Sequence, residues 1–238
     1  MARTLAIVAG TGIAVSAVCL ALAAAFDDRH IGRLFSSCGE GNATGVTGNT
    51  LEVPWEDDSD EVTINVPATV SYRPGTRTSL LATGSPEALS HLRVRGSRIE
   101  FDCRGLDYED LDLVLPGREL SDFTLNGSGR LVLEDLNLTE LDVALHGRGE
   151  VEASGRADDV DLTMAGAGEA RLGGLAVKSM QVRIAGAGDA EIAPEEEVEI
   201  MIAGAGEIRL LTEPRSVEQS IFGAGKIVRA PRPSAPAP

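Results

Sequence analysis

One short pattern is written six times between Phe123 and Lys226: an alternating apolar run, Gly-x-Gly, and a second alternating run. The glycine pairs are Gly127/Gly129, Gly147/Gly149, Gly166/Gly168, Gly186/Gly188, Gly204/Gly206 and Gly223/Gly225, with successive copies 20, 19, 20, 18 and 19 residues apart. A fixed period of this size leaves few folds open. Each copy is a unit too small to bury its own apolar face, so copies must stack on one another.

Aligned on the first glycine, the copies resolve into columns. Two residues before it stand Leu125, Leu145, Met164, Ile184, Ile202 and Ile221, and four before it Phe123, Val143, Leu162, Val182 and Ile200. Between them lie Thr124, Ala144, Thr163, Arg183, Met201 and Ser220. This is the period of two that marks a strand. The apolar phase resumes after the turn at Leu131, Val151, Ala170, Ala190, Ile208 and Ile227, so each copy predicts two strands of about five residues meeting at a glycine corner. The fold class expected is all-β: a parallel β-helix, or β-solenoid, with coils of about 18–20 residues. Glycine suits a corner repeated in every coil because such a turn often needs positive φ.

The recurring Gly-x-Gly-acid, as GRGE at 147, GAGE at 166, GAGD at 186 and GAGE at 204, resembles the GIN domain, named for the head of autotransporter adhesins. The segments ATGSPEALSHLRVRGSRIEFD (82–102) and DLDLVLPGRELSDFTLNGSG (110–129) are similar to that family's lead-in, so the resemblance covers about 45–228. The family's usual serine between the glycines survives only at Ser128; Arg148 and then Ala167, Ala187, Ala205 and Ala224 follow it. The resemblance implies a bacterial envelope β-solenoid and brings no catalytic residues.

Five segments are expected. Residues 1–25 are a signal peptide or N-terminal membrane anchor: Arg3 precedes an uncharged stretch from Thr4 to Phe26, and Ala23-Ala24-Ala25 offers a cleavage site. Residues 26–44 form a linker, 45–118 irregular β coils, 119–230 the regular repeats, and 231–238 a disordered proline-rich tail. Within the irregular part, strands are expected at 48–53, 61–66 and 78–82. Ser85-Pro86-Glu87 reads as an N-cap, a first-turn proline and a short helix that could plug the open end. The last copy carries Gln219 and Lys226 in place of the apolar and acidic residues, then Arg229 and prolines, which discourage further edge pairing. Either reading of residues 1–25 exports the body to the periplasm, outer membrane or cell surface. In that oxidising setting Cys38 and Cys103 are a plausible disulfide, unpaired thiols being the alternative.

A net charge of −16 with only 3% aromatic residues argues against nucleic acid. His30, His91 and His146 are scattered, no HExxH or G-x-S-x-G occurs, and no cofactor or metal site is expected. Two acidic columns should run along the stack: Glu150, Glu169, Asp189 and Glu207 after the glycines, a candidate weak cation stripe, and Asp122, Asp142, Asp161, Gln181, Glu199 and Glu218 before them. The column Glu152, Arg171, Glu191, Arg209 alternates in sign and should form ion pairs between coils that set register. At the corner, alanines fill the middle copies, but Asn126, Ser128, His146 and Arg148 stand in the first two. These four are the candidate binding patch, with an envelope glycan or protein as partner. The expectation is a non-enzymatic binding and adhesion module. The alternatives are a carbohydrate-active β-helix enzyme using His146 as base and Glu150 as acid, or a membrane-anchored structural or sensory ectodomain.

Overall fold

A computed structural model describes residues 45–103 and 110–229. The expected signal or anchor at 1–25, the linker at 26–44 with Cys38, and the tail at 231–238 lie outside the described residues. The described residues 45–102 and 110–229 belong to one compact unit. Its elements are β1 (Thr50–Pro54), β2 (Glu61–Asn65), β3 (Thr69–Tyr72), β4 (Ser79–Thr83), α1 (Pro86–His91), β5 (Leu92–Arg95), β6 (Arg98–Phe101), β7 (Asp112–Val114), β8 (Asp122–Gly127), β9 (Arg130–Gly147), β10 (Glu150–Gly166), β11 (Glu169–Gly186), β12 (Asp189–Ile192), β13 (Pro194–Gly204), β14 (Glu207–Leu210), β15 (Ser216–Gly223) and β16 (Lys226–Arg229). They make a β-solenoid of about six turns with parallel stacked strands.

The columns read from the sequence are the ladders of the fold. Gly147 stands beside Gly166, Gly166 beside Gly186, Gly186 beside Gly204 and Gly204 beside Gly223. Leu125, Leu145, Met164, Ile184 and Ile202 stack directly and are buried. The first glycine of every pair has positive φ, from +100° at Gly127 to +142° at Gly204. Hydrogen bonding continues through the turn. The amides of Ala167, Ala187, Ala205 and Ala224 each donate to the first-glycine carbonyl one coil below at 2.8 Å.

Two features differ from the sequence expectation. First, β9, β10 and β11 run 17 or 18 residues without a break, so a coil has one interrupted corner and not two separate five-residue strands. Buried residues fall into three runs per coil, as in Leu131/Leu133, Leu136/Leu138 and Leu141/Val143/Leu145. The chain therefore bends again inside each long strand. It does so at register shifts, with Asp135 at φ +55° beside Gly155 at φ +115°. A residue inserted in one strand bends it while the ladder persists on both sides.

Second, the irregular part does not add coils in chain order. β2 and β3 pair in parallel with β8 and β9, while β6 and β7 pair with the opposite edges of β2 and β3. The chain thus lays one rung, moves outward to lay the next, and returns across the first to begin the regular repeats. At that outer rung the pairing turns antiparallel: β5 on β6, and β4 on β7 with β1 on β4. Antiparallel cover of both edges ends the parallel stack among the described residues. α1 starts at Ser85, whose side chain accepts the Ala88 amide at 3.1 Å, and buries Ala88, Leu89 and His91 beside β1. Nearby, Tyr72 packs against Phe123 with the rings tilted and 5.2 Å between centroids, and its hydroxyl donates to the Arg118 carbonyl and accepts the Leu120 amide.

The corner glycines separate backbone strain from crowding. At Gly127 a Cβ would meet nothing within 4 Å, whereas at Gly186 it would overlap the Gly166 carbonyl oxygen. Gly127→Ala should therefore cost about 1–2 kcal/mol, the penalty of a side chain at such φ. Gly186→Ala should lose a further 1–3 kcal/mol or so from the forced shift of the coil below. Urea denaturation of both variants checks this, and equal losses would mean that the close approach is relieved cheaply.

Candidate functional site

The corner residues named from the sequence come together. Asn126 and His146 are ladder partners, and the same column continues as Ala165, Ala185, Ala203 and Phe222. Ser128 and Arg148 occupy the adjacent position between the glycines, both exposed. The Arg148 amide donates to the Gly127 carbonyl at 2.9 Å, which fixes its backbone, while its guanidinium has no ion pair among the described residues. Arg77, Arg98 and Arg229 share this among the described residues, whereas Arg73, Arg95, Arg118, Arg130, Arg156, Arg171, Arg183, Arg209 and Arg215 are all paired with carboxylates.

A fifth residue belongs to this corner. Asn126 Nδ2 donates to Asn65 Oδ1 at 2.8 Å, because β2 lies directly beside β8. A faint signal in the sequence marks it: Glu61-Val62-Thr63-Ile64-Asn65 repeats the acid–apolar–Thr–apolar–Asn order of Asp122-Phe123-Thr124-Leu125-Asn126. The echo is masked because Val66-Pro67-Ala68 stands where later coils have Gly-x-Gly.

The candidate cation stripe is also assembled, with Glu150, Glu169, Asp189 and Glu207 in consecutive register. The protein's own cations sit on it. Arg130 and Arg171 engage Glu150, Arg171 reaches Glu169 at 2.9 Å, and Lys226 reaches Glu207 at 2.7 Å. The hydrogen bond from Lys226 holds the Glu207 carboxyl below its ordinary range. Asp189 Oδ1 instead accepts the Glu207 amide at 3.0 Å. The alternating column contributes differently from the expectation. Arg209 does pair with Glu191 at 3.4 Å, but Arg171 turns to the neighbouring acidic column and Glu152 to Arg130. Arg130 and Arg209 each reach carboxylates in both columns, whereas Arg171 bridges Glu150 and Glu169 within the acidic one.

The second acidic column is in register from Asp122 to Glu218 and has fewer partners. Arg183 pairs with Asp161 at 2.7 Å, and Gln181 donates to Glu199 at 2.7 Å. Partial burial, then the neighbouring Glu61, Asp142 and Asp60, push the Asp122 carboxyl above its ordinary range. Burial, then Glu140 and Asp161, do the same for Asp142. Elsewhere His91 Nδ1 meets Asp102 Oδ1 at 2.8 Å, and Asp102 also pairs with Arg93. Cys103 is disulfide-bonded; its partner, like Cys38, lies outside the described residues. No helix among the described residues is long and apolar enough to cross a membrane.

The raised Asp142 carboxyl gives a signed prediction. A carboxyl whose folded pKa lies above its unfolded value adds stability fully at pH below the unfolded value, and loses it as pH rises through the folded one. Asp142→Asn should therefore raise the melting temperature at pH 7 and lose that advantage near pH 3. An advantage equal at both pH values, or none at pH 7, contradicts the account of Asp142.

The comparisons place this architecture. A search of curated proteins returns no match. Among solved structures, a protein described as "a putative adhesin" from Bacteroides fragilis superposes with a TM-score of 0.61 at 17% identity, over 76% of this chain and 96% of that one. A second, described as "Putative lipid binding protein", from Parabacteroides distasonis, gives 0.49 at 19% identity over 79% and 98%. At such identities the likeness concerns the fold alone. Residues 43–214 match the family described as "Putative auto-transporter adhesin, head GIN domain", and the chain belongs to that family.

Proposed function

We propose that the chain is an exported, non-enzymatic binding module of the bacterial envelope, and that it engages an anionic group of a glycan or partner protein at the corner formed by Asn65, Asn126, Ser128, His146 and Arg148. The observation that carries this is the exposed Arg148 on a hydrogen-bonded corner, with no ion pair among the described residues, in a chain of net charge −16 where most of the described arginines are paired. A guanidinium is a planar fork suited to carboxylates and sulfates, and the asparagines, serine and histidine beside it supply directional hydrogen bonds. Solvated acidic columns attract cations diffusely and are screened by salt, so they give little selectivity. Membership in a family described as adhesin heads supports binding over turnover.

The enzymatic alternative fits the geometry less well. It needs Glu150 as proton donor, yet Arg130 and Arg171 both engage that carboxylate. Export is part of the proposal and rests on the character of residues 1–25 and on the family.

The test uses immobilised dextran sulfate with dextran as the neutral control. The protein should be retained on the sulfated polymer in a salt-sensitive way. Arg148→Ala and His146→Ala together should reduce retention about tenfold, the effect of losing about 1.4 kcal/mol, while Glu169→Gln should not. Equal retention of the corner variant, or depolymerisation of an envelope polysaccharide by the purified protein, would refute the proposal.

A further inference from the structure

Away from the corner, the irregular coils form an open cavity of about 380 Å³ lined by Trp55, Thr76, Arg77, Thr78, Arg118 and Glu119, with Asp58, Gly75 and Pro116 completing the wall. That volume lies within the roughly 300–1,000 Å³ usual for small-ligand sites. The wall is built from three chain segments fastened to one another. Trp55 donates its amide to the Thr78 carbonyl at 3.2 Å, and Gly75 and Gly117 exchange backbone hydrogen bonds with the facing loop at 2.7 and 2.8 Å. Gly117 approaches Gly75 so closely that a Cβ would lie 2.7 Å from its backbone. The pinned loop holds Thr76, Arg77 and Thr78 at the rim, all exposed.

The polar groups here are unbalanced towards donation. Arg118 is fixed by Nη contacts to the carbonyls of Asp57 and Asp58, the latter at 2.6 Å, yet its Nε has no hydrogen-bond partner. The Nε1 of Trp55 is likewise buried and unpartnered. Leaving a buried donor unmet costs about 1–3 kcal/mol, so two beside one cavity are unusual. At the exposed rim, Arg77 adds a cation that has no ion pair among the described residues. Indole and guanidinium are donors only, and the threonine hydroxyls can donate as well. Of the two carboxylates, Asp58 is fully exposed and already faces Arg118 at 3.7 Å, which leaves Glu119 at the rim as the main acceptor. Trp55 packs part of its indole on the core and lines the cavity with the rest.

We propose that this cavity is a binding site for a carboxylated sugar, of the uronic acid class, with the indole of Trp55 against the ring, Arg77 on the carboxylate, and Thr76, Thr78 and Glu119 on the hydroxyls. An aromatic surface takes the apolar face of a pyranose, while a forked cation takes its carboxylate. The site names a ligand class for the binding module and does not depend on the Gly-x-Gly corner.

Trp55 is the only tryptophan in the chain, so its fluorescence reports this cavity alone. Titration of the full chain with a galacturonic acid tetramer should give a saturable change in emission, at least about tenfold weaker with the neutral galactose tetramer. Arg77→Ala, at an exposed position, should weaken galacturonate binding about tenfold with an unchanged melting temperature. Thr76→Trp, read by calorimetry, should abolish binding by obstruction. The corner variant Arg148→Ala/His146→Ala should keep the Trp55 response, which separates this site from the one proposed above. No saturable response to galacturonate, equal affinity for the neutral tetramer, or full affinity in both Arg77→Ala and Thr76→Trp would overturn the assignment.

Discussion

The structure depends on one backbone contact repeated down the stack: the amide after each corner glycine donates to the first-glycine carbonyl of the coil below. It forms only where two chains approach more closely than a Cβ permits. Over Gly147, Gly166, Gly186, Gly204 and Gly223 the space for a side chain is filled by the preceding glycine's carbonyl. With positive φ, each glycine turns the chain through the corner without breaking the ladder. Because the contact repeats at every coil, it also fixes register, and the apolar columns stack Leu on Leu and Ile on Ile as a consequence. Coils so joined depend on their neighbours, and stability accrues from interface to interface.

The site inherits its geometry from that constraint. A side chain beside a corner glycine is held by the ladder above and below, so Asn126, His146 and Arg148 are positioned by backbone and not by packing. The corner is also where the coils differ most. Alanine in the later copies leaves a flat surface, and polar residues gather only where β2, β8 and β9 meet. The faces away from the corner carry the charge. On one of them ion pairs from Arg130, Arg171, Arg209 and Lys226 neutralise much of the acid, while on the other partial burial, and after it the neighbouring carboxylates, raise Asp122 and Asp142.

What could be read from the sequence follows the same division. Where glycine spacing marks the corners, column alignment gives the in-register neighbours, from the stacked Ile184 and Ile202 to the juxtaposition of Asn126 and His146. Where Gly-x-Gly is missing, neighbours in space are not neighbours in the repeat. Asn65 escaped because its corner is Val66-Pro67-Ala68, and the outward step to β6 and β7 leaves no periodic trace. The second bend within β9, β10 and β11 escaped for another reason: a bulge needs one extra residue, and no fixed residue type announces it. The Trp55 cavity depends on contact between loops far apart in sequence, which no local pattern encodes.

The central claim is that the corners are part of the hydrogen-bonded ladder and not loops between strands. Amide hydrogen exchange tests it directly. The Ala187 and Asp189 amides, bonded to the Gly166 and Gly168 carbonyls at 2.8 and 3.0 Å, should be protected to the same degree as Val182 in the adjoining strand. Exchange at Ala187 and Asp189 as fast as in an exposed loop, with Val182 still protected, would contradict the account.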